Sequence, residues 1–117
     1  MNMSRPKSGA DPKRERRAEP RYSANPDASC RVSATDDPES QSAEIDNISA
    51  RGIKVLVQRG YEVGTFLLVQ LTGKNRHLER TVMVRVVRVT AETSGKYALG
   101  CAFLTPLEGY ELFTLVL

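Results

Sequence analysis

The chain has 117 residues, 40% of them hydrophobic, and 17 Lys and Arg against 14 Asp and Glu give a net charge of +3. That length holds one domain at most, no apolar run approaches a membrane span, and the N-terminus lacks the apolar stretch of a secretory signal, so a cytoplasmic protein is expected. Cys30 and Cys101 have no metal-type spacing and no neighbouring histidine, which marks them as buried or half-buried thiols rather than ligands.

The first 29 positions contain no Val, Ile, Leu or Phe. Residues 1–25 therefore read as a flexible or ligand-ordered arm, and residues 26–117 as the folding domain. Arg5, Lys7, Lys13, Arg14, Arg16, Arg17 and Arg21 face only Asp11, Glu15 and Glu19 in residues 1–21, a net +4, while the rest of the chain holds 10 basic and 11 acidic residues, a net −1. A basic arm on a near-neutral body suits either a solubilising tail or a phosphate-bearing partner. Within the arm, Arg17-Ala18-Glu19-Pro20-Arg21 sets two arginines four residues apart. Pro20 blocks a regular helix between them, so the segment is expected to be extended or turned.

Beyond the arm, Ser29 to Ala34 alternates weakly and reads as a first, edge-like strand, followed by the polar loop Thr35 to Ser42. Ala43 to Val57 is a strand pair or bent strand, interrupted by Asn47–Gly52, residue types depleted in strands. Arg59-Gly60-Tyr61 closes that unit, Thr65 to Leu71 forms the next strand, and Gly73 to Arg76 ends it. Arg80 to Thr90 carries the strongest strand pattern, with Val82, Val84 and Val86 on one face. On a regular strand Arg85 and Arg88 would lie on opposite faces, unless a bulge reorients one of them. The turn Glu92 to Lys96 leads into Tyr97 to Leu104, where Tyr97, Leu99, Cys101 and Phe103 alternate with small residues.

The last segment changes period. Thr105-Pro106-Leu107-Glu108 fits a capping box, with Thr105 as the cap. Leu107, Tyr110, Phe113 (or Thr114) and Leu117 then recur at helical spacing, which predicts a short helix packing that side onto the sheet. Short strands with turn signals and a single helix point to an all-β class, a small antiparallel barrel.

Catalytic chemistry has few parts to work with. His77 is the only histidine, which removes histidine-based triads and metal clusters, and the carboxylates are scattered. Gly73-Lys74 resembles the end of a phosphate loop but lacks its earlier glycine and its Ser/Thr. A binding module, not an enzyme, is expected, with no metal or cofactor. Asn47-x-Ser49-x-x-Gly52 offers an amide and a hydroxyl suited to a base edge, and a glycine that permits close backbone approach. The competing reading is a polar bulge whose Asn and Ser satisfy their own backbone. Arginine forks pair with phosphate or with the O6/N7 edge of guanine.

Arg17-x-x-x-Arg21, followed about 26 residues later by Asn47-x-Ser49-x-x-Gly52, resembles the PilZ domain, a bacterial receptor module for cyclic di-GMP. Ile53-Lys54-Val55 and Leu99-Gly100-Cys101-Ala102-Phe103 are similar to that family's pattern as well. The resemblance spans roughly residues 14–115. It implies a roughly six-stranded antiparallel barrel whose N-terminal arm folds over the ligand. Arg17 and Arg21 would contact guanine edges and phosphates, Asn47 and Ser49 would bond a guanine, and Gly52 would allow the turn beneath it. Arg16, directly before the motif, implies that cyclic di-GMP binds as a stacked pair. Arg51, Arg85 and Arg88 are further cations that the sequence does not place, and Asp46 has no assigned role.

A downstream protein partner is also expected. The apolar segment Leu112 to Leu117 leaves a partner or homodimer surface open, and an adaptor with little use for the nucleotide is the alternative function. Nucleic-acid binding fits the basic arm but asks for exposed aromatics or a basic body. Only Tyr22 accompanies the arm.

Overall fold

The computed structural model describes residues 20–76 and 78–117. Six strands make up the body: β1 (Ser29–Ala34), β2 (Gln41–Ile48), β3 (Gly52–Val57), β4 (Phe66–Thr72), β5 (Glu79–Ala91) and β6 (Tyr97–Phe103). They close into an antiparallel barrel in the order β1-β2-β3-β6-β5-β4, with β4 pairing back to β1. A short 3-10 turn, Lys74–Arg76, joins β4 to β5, and one helix, α1 (Gly109–Val116), follows β6. No helix among the described residues is long and apolar enough to cross a membrane.

Alternation explains the core. Val32, Val55, Val57, Leu67, Val69, Leu71, Val84, Val86 and Leu99 take the inward positions and are buried. Each such side chain gains about 1.5–3 kcal/mol from leaving water. The weakly patterned β1 is no edge. It pairs with β2 through Cys30↔Ala43 and with β4 through six residue pairs from Ser29↔Thr72 to Ala34↔Leu67. Its inward residues Cys30 and Val32 are buried and Ala34 packs against the same core; six-residue brevity hid the pattern. The interrupted stretch Ala43 to Val57 resolves into the β2–β3 hairpin.

The helix departs from expectation in both start and orientation. Its cap is Glu108, not Thr105, and the reciprocal capping box is with Glu111, whose Oε1 accepts the Glu108 N–H at 2.8 Å. Leu107 is buried as expected, but Tyr110, Phe113 and Leu117 are 66%, 58% and 78% exposed. The stripe turned onto the barrel end is Leu107, Glu111 and Leu115. A glutamate can occupy it because Arg80 of β5 donates to Glu111 Oε2, and buried charge is tolerated when paired and hydrogen-bonded. Gly73 makes room for the same helix: a Cβ there would lie 2.8 Å from Thr114 Cγ2. Its role is close packing, which accounts for the glycine of the Gly73-Lys74 pair.

A bulged hairpin and a docked arm form the candidate ligand site

In β2, Ile45 pairs with Val55 but Asn47 pairs with Lys54, so Asp46 is an extra residue with no opposite number. Such a bulge resets the inside–outside alternation. Ala43 and Ile45 lean into the core, and regular alternation would send Asn47 after them. The bulge instead turns Ile48 inward, fully buried, and leaves Asn47 on the outer surface. The polar interruption of the strand is thus an orienting device.

The turn that follows is closed by its own side chain. Ser49 is 1% exposed, and its Oγ accepts the backbone N–H of Gly52 at 3.1 Å and of Arg51 at 3.3 Å. The Ser49 N–H donates to the Gly52 carbonyl at 2.8 Å. Two outside bonds brace the turn: Phe103 N–H to the Arg51 carbonyl at 2.9 Å and Leu107 N–H to the Ala50 carbonyl at 2.8 Å. Arg51 therefore contributes its backbone to the frame under the site. Gly52 begins β3 where space is short. A Cβ there would lie 2.9 Å from the Cys101 carbonyl oxygen and 3.7 Å from Arg21 Nη2, so a glycine lets both the neighbouring strand and the arginine approach.

The described end of the arm, from Pro20 onward, docks beside this hairpin. Tyr22 exchanges both backbone hydrogen bonds with Ile48, at 2.8 and 2.9 Å. That bridge carries Arg21 over the surface, where its Nη1 donates to Asn47 Oδ1. The amide is held from its other end, since Asn47 Nδ2 donates to Asp46 Oδ2 at 3.2 Å. Lys54 Nζ stands 3.6 Å from the same carboxylate oxygen. Arginine, amide, carboxylate and ammonium form one polar chain. Further along the arm, Asn25 N–H bonds the Leu115 carbonyl of α1 at 2.8 Å.

Beside this chain opens a cleft of about 530 Å³, lined in part by Arg21, Asn47, Lys54, Arg88 and Gly100. It combines cations and an amide with small residues, Ala98 and Gly100, on its floor. The structure brings Arg21, Asn47 and Gly52 together as the motif spacing suggested. Ser49 lies directly under them with its hydroxyl engaged in the turn, and Arg16 and Arg17 fall outside the described residues. Asp46 and Lys54 belong to the site although the sequence reading gave them no role. The signal for Asp46 was its position as the odd residue before Asn47, visible only once the strand has a pairing partner. Arg85 lies one row away, opposite Ala102, and does not line the cleft.

Cys101 is among the residues that line the cleft. Cys30 and Cys101 are free and buried inside the barrel. Burial pushes both up to about 12, and the nearby Cys101 adds to the effect at Cys30.

The comparisons with known proteins agree with this architecture. No protein with a curated description matches the chain. Among solved structures, the Bacillus subtilis inhibitor of motility (MotI/DgrA) superposes with a TM-score of 0.59 at 19% identity, covering 80% of this chain and 46% of that one. The MrkH–c-di-GMP complex of K. pneumonia gives a TM-score of 0.58 at 19% identity, covering 74% of this chain and 43% of that one. The chain thus spans less than half the length of either, and likeness at this identity is likeness of fold. The PilZ domain model matches residues 15–116, a stretch that contains both motifs and every strand, and the chain belongs to the PilZ domain family.

Proposed function

We propose that the protein is a cyclic di-GMP receptor whose N-terminal arm and bulged hairpin close on the dinucleotide together. One observation carries the reading: the Arg21 guanidinium rests on the Asn47 amide above Gly52, at the mouth of the 530 Å³ cleft. Arginine and amide side by side offer donors for phosphate oxygens and for a guanine edge, the two chemistries that cyclic di-GMP presents. That the similar MrkH structure is a complex with c-di-GMP supports the choice of ligand. In this reading Arg16 and Arg17 join Arg21 on the ligand, Arg16 favours a stacked pair, and binding draws the arm from about residue 14 onto the barrel. The module acts in the cytoplasm by binding and passes its message to a protein partner.

Calorimetric titration of the full chain tests this. Saturable heat with cyclic di-GMP at tens of micromolar, and a stoichiometry of two per chain, is the expected result. Folded protein that gives no heat would overturn the reading. Arg21→Ala should weaken binding about tenfold or more, since charge-assisted hydrogen bonds are worth about 1.5–3 kcal/mol.

A second reading, a protein adaptor with little use for the nucleotide, draws on the exposed Tyr110, Phe113 and Leu117 of α1. It predicts partner binding that does not change when cyclic di-GMP is added.

A further inference from the structure

Strand β5 contains a second bulge, and its geometry parallels the first. Val82, Val84 and Val86 point inward and are buried. Continued alternation would drive Arg88 into the hydrocarbon core, at a prohibitive desolvation cost. The register shifts between Val86, opposite Cys101, and Arg88, opposite Gly100. Val87 is the extra residue and lies 50% exposed, while Val89 returns inward opposite Leu99. The chain thus leaves a valine in water and interrupts its longest strand, and the outcome is an arginine on the outer surface. Bulges of this kind re-aim side chains at functional sites.

The two bulges lie on strands that do not pair with each other, yet the residues they re-aim share one row. Asn47 is opposite Lys54, Lys54 is opposite Gly100, and Gly100 is opposite Arg88. At about 4.8 Å per strand the row spans about 14 Å, from Asn47 at one end to Arg88 at the other. All four residues line the same cleft. Packing does not require the glycine in the row, because a Cβ at residue 100 would meet Arg88 Cβ at an ordinary 3.5 Å. What Gly100 does is leave the floor open between two cations. Lys54 already faces Asp46. Among the described residues no hydrogen bond or ion pair holds the Arg88 guanidinium, whereas Arg31, Arg59 and Arg80 each have an oxygen partner.

We propose that Arg88 binds the ligand at the end of the cleft opposite Arg21, taking a phosphodiester oxygen above Gly100 with Lys54 on its other side. This assignment rests on the reading of the cleft as a cyclic di-GMP site. It makes the cleft a two-ended cradle: the arm grips one end, and the rigid barrel supplies the other.

The test is titration of cyclic di-GMP into the full-length wild type, Arg88→Met and Arg88→Lys, with a melting curve for each. Arg88→Met should bind about tenfold or more weakly, with a melting temperature within about 2 °C of wild type, as for an exposed substitution. Arg88→Lys should stay within about threefold, because a phosphate accepts a point charge where a guanine edge needs the planar fork. Wild-type binding that Arg88→Met leaves unchanged would overturn the role of Arg88 while the cleft reading stands. Loss in Arg88→Lys as deep as in Arg88→Met would overturn the phosphate assignment. No binding by the wild type would overturn the underlying reading itself.

Discussion

The side chain that does most to shape the site is Asp46, a residue without a strand partner. By occupying the bulge it sets the parity of the strand, and by accepting from Asn47 Nδ2 it fixes which end of the amide faces Arg21. An amide rotated by half a turn would present Nδ2 to a guanidinium, two donors facing each other. Asp46→Ala keeps the bulge but frees the amide. Its ion pair with Lys54 is half-exposed, so little stability is at stake, about 0–1 kcal/mol. Asp46→Ala is therefore expected to weaken cyclic di-GMP binding about three- to tenfold, with a melting temperature close to wild type. Paired calorimetry and thermal melts check both halves, and an unchanged affinity would show that Asn47 orients itself without the carboxylate. The meeting of Arg21 with Asn47 and Gly52 was legible from the motif spacing. Asp46 was not, because a bulge is a property of two strands in register and a single sequence states only one of them.

At the scale of the element, α1 shows how a polar residue can disguise a buried face. Tyr110, Phe113 and Leu117 form the more apolar stripe, yet they point to solvent, and Leu107, Glu111 and Leu115 point inward. The reason lies 31 residues away, in the Arg80 that meets Glu111. No local pattern reveals a glutamate whose charge is met by a distant strand. The cap was missed for a local reason: Thr105 and Pro106 offer good cap chemistry, but three residues further on Glu111 bonds the Glu108 N–H. Two substitutions separate the faces. Leu115→Ala should cost about 2–5 kcal/mol, the range for truncating a buried leucine, and should lower the denaturation midpoint in urea accordingly. Phe113→Ser should fall within about 0.5 kcal/mol of wild type in the same titration. The reverse order would mean that the helix packs by its other side. The strands were more legible: β5, β6 and the hairpin turn between them follow from alternation and Gly95, whose φ of 88° suits the residue type.

For the molecule as a whole, the barrel interior sets how stability responds to alkali. Both thiols are pushed up to about 12 by burial, against an ordinary value of 9.0. An unfolded chain releases these protons as pH passes 9, while the folded chain keeps them. The unfolded state then binds fewer protons, and stability falls with rising pH. The contribution of the neutral thiols is fully present below pH 9 and is lost progressively between about 9 and 12. Urea midpoints measured from pH 7 to 11 should therefore decline above pH 9, less steeply in the Cys30→Ala, Cys101→Ala double variant. A flat profile in the wild type would show that the thiols ionise in place. Folded protein should likewise react slowly with a thiol reagent, because the thiolate is the nucleophile.

Closure of the sheet has a consequence for the borders of its strands. Every strand of the barrel has a neighbour on each side, so its backbone N–H and C=O groups are spoken for wherever both ladders run, while the far half of β5, Val87 to Ala91, pairs in the sheet with β6 alone. Along the doubly paired stretches an added strand finds no free border on which to template. Recognition on those stretches runs through side chains, and elsewhere through the docked residues 20–25, the turns and the helix. Those are also the parts that differ most readily from one sequence to the next. A barrel built this way keeps its frame constant and leaves variation to the parts outside the sheet.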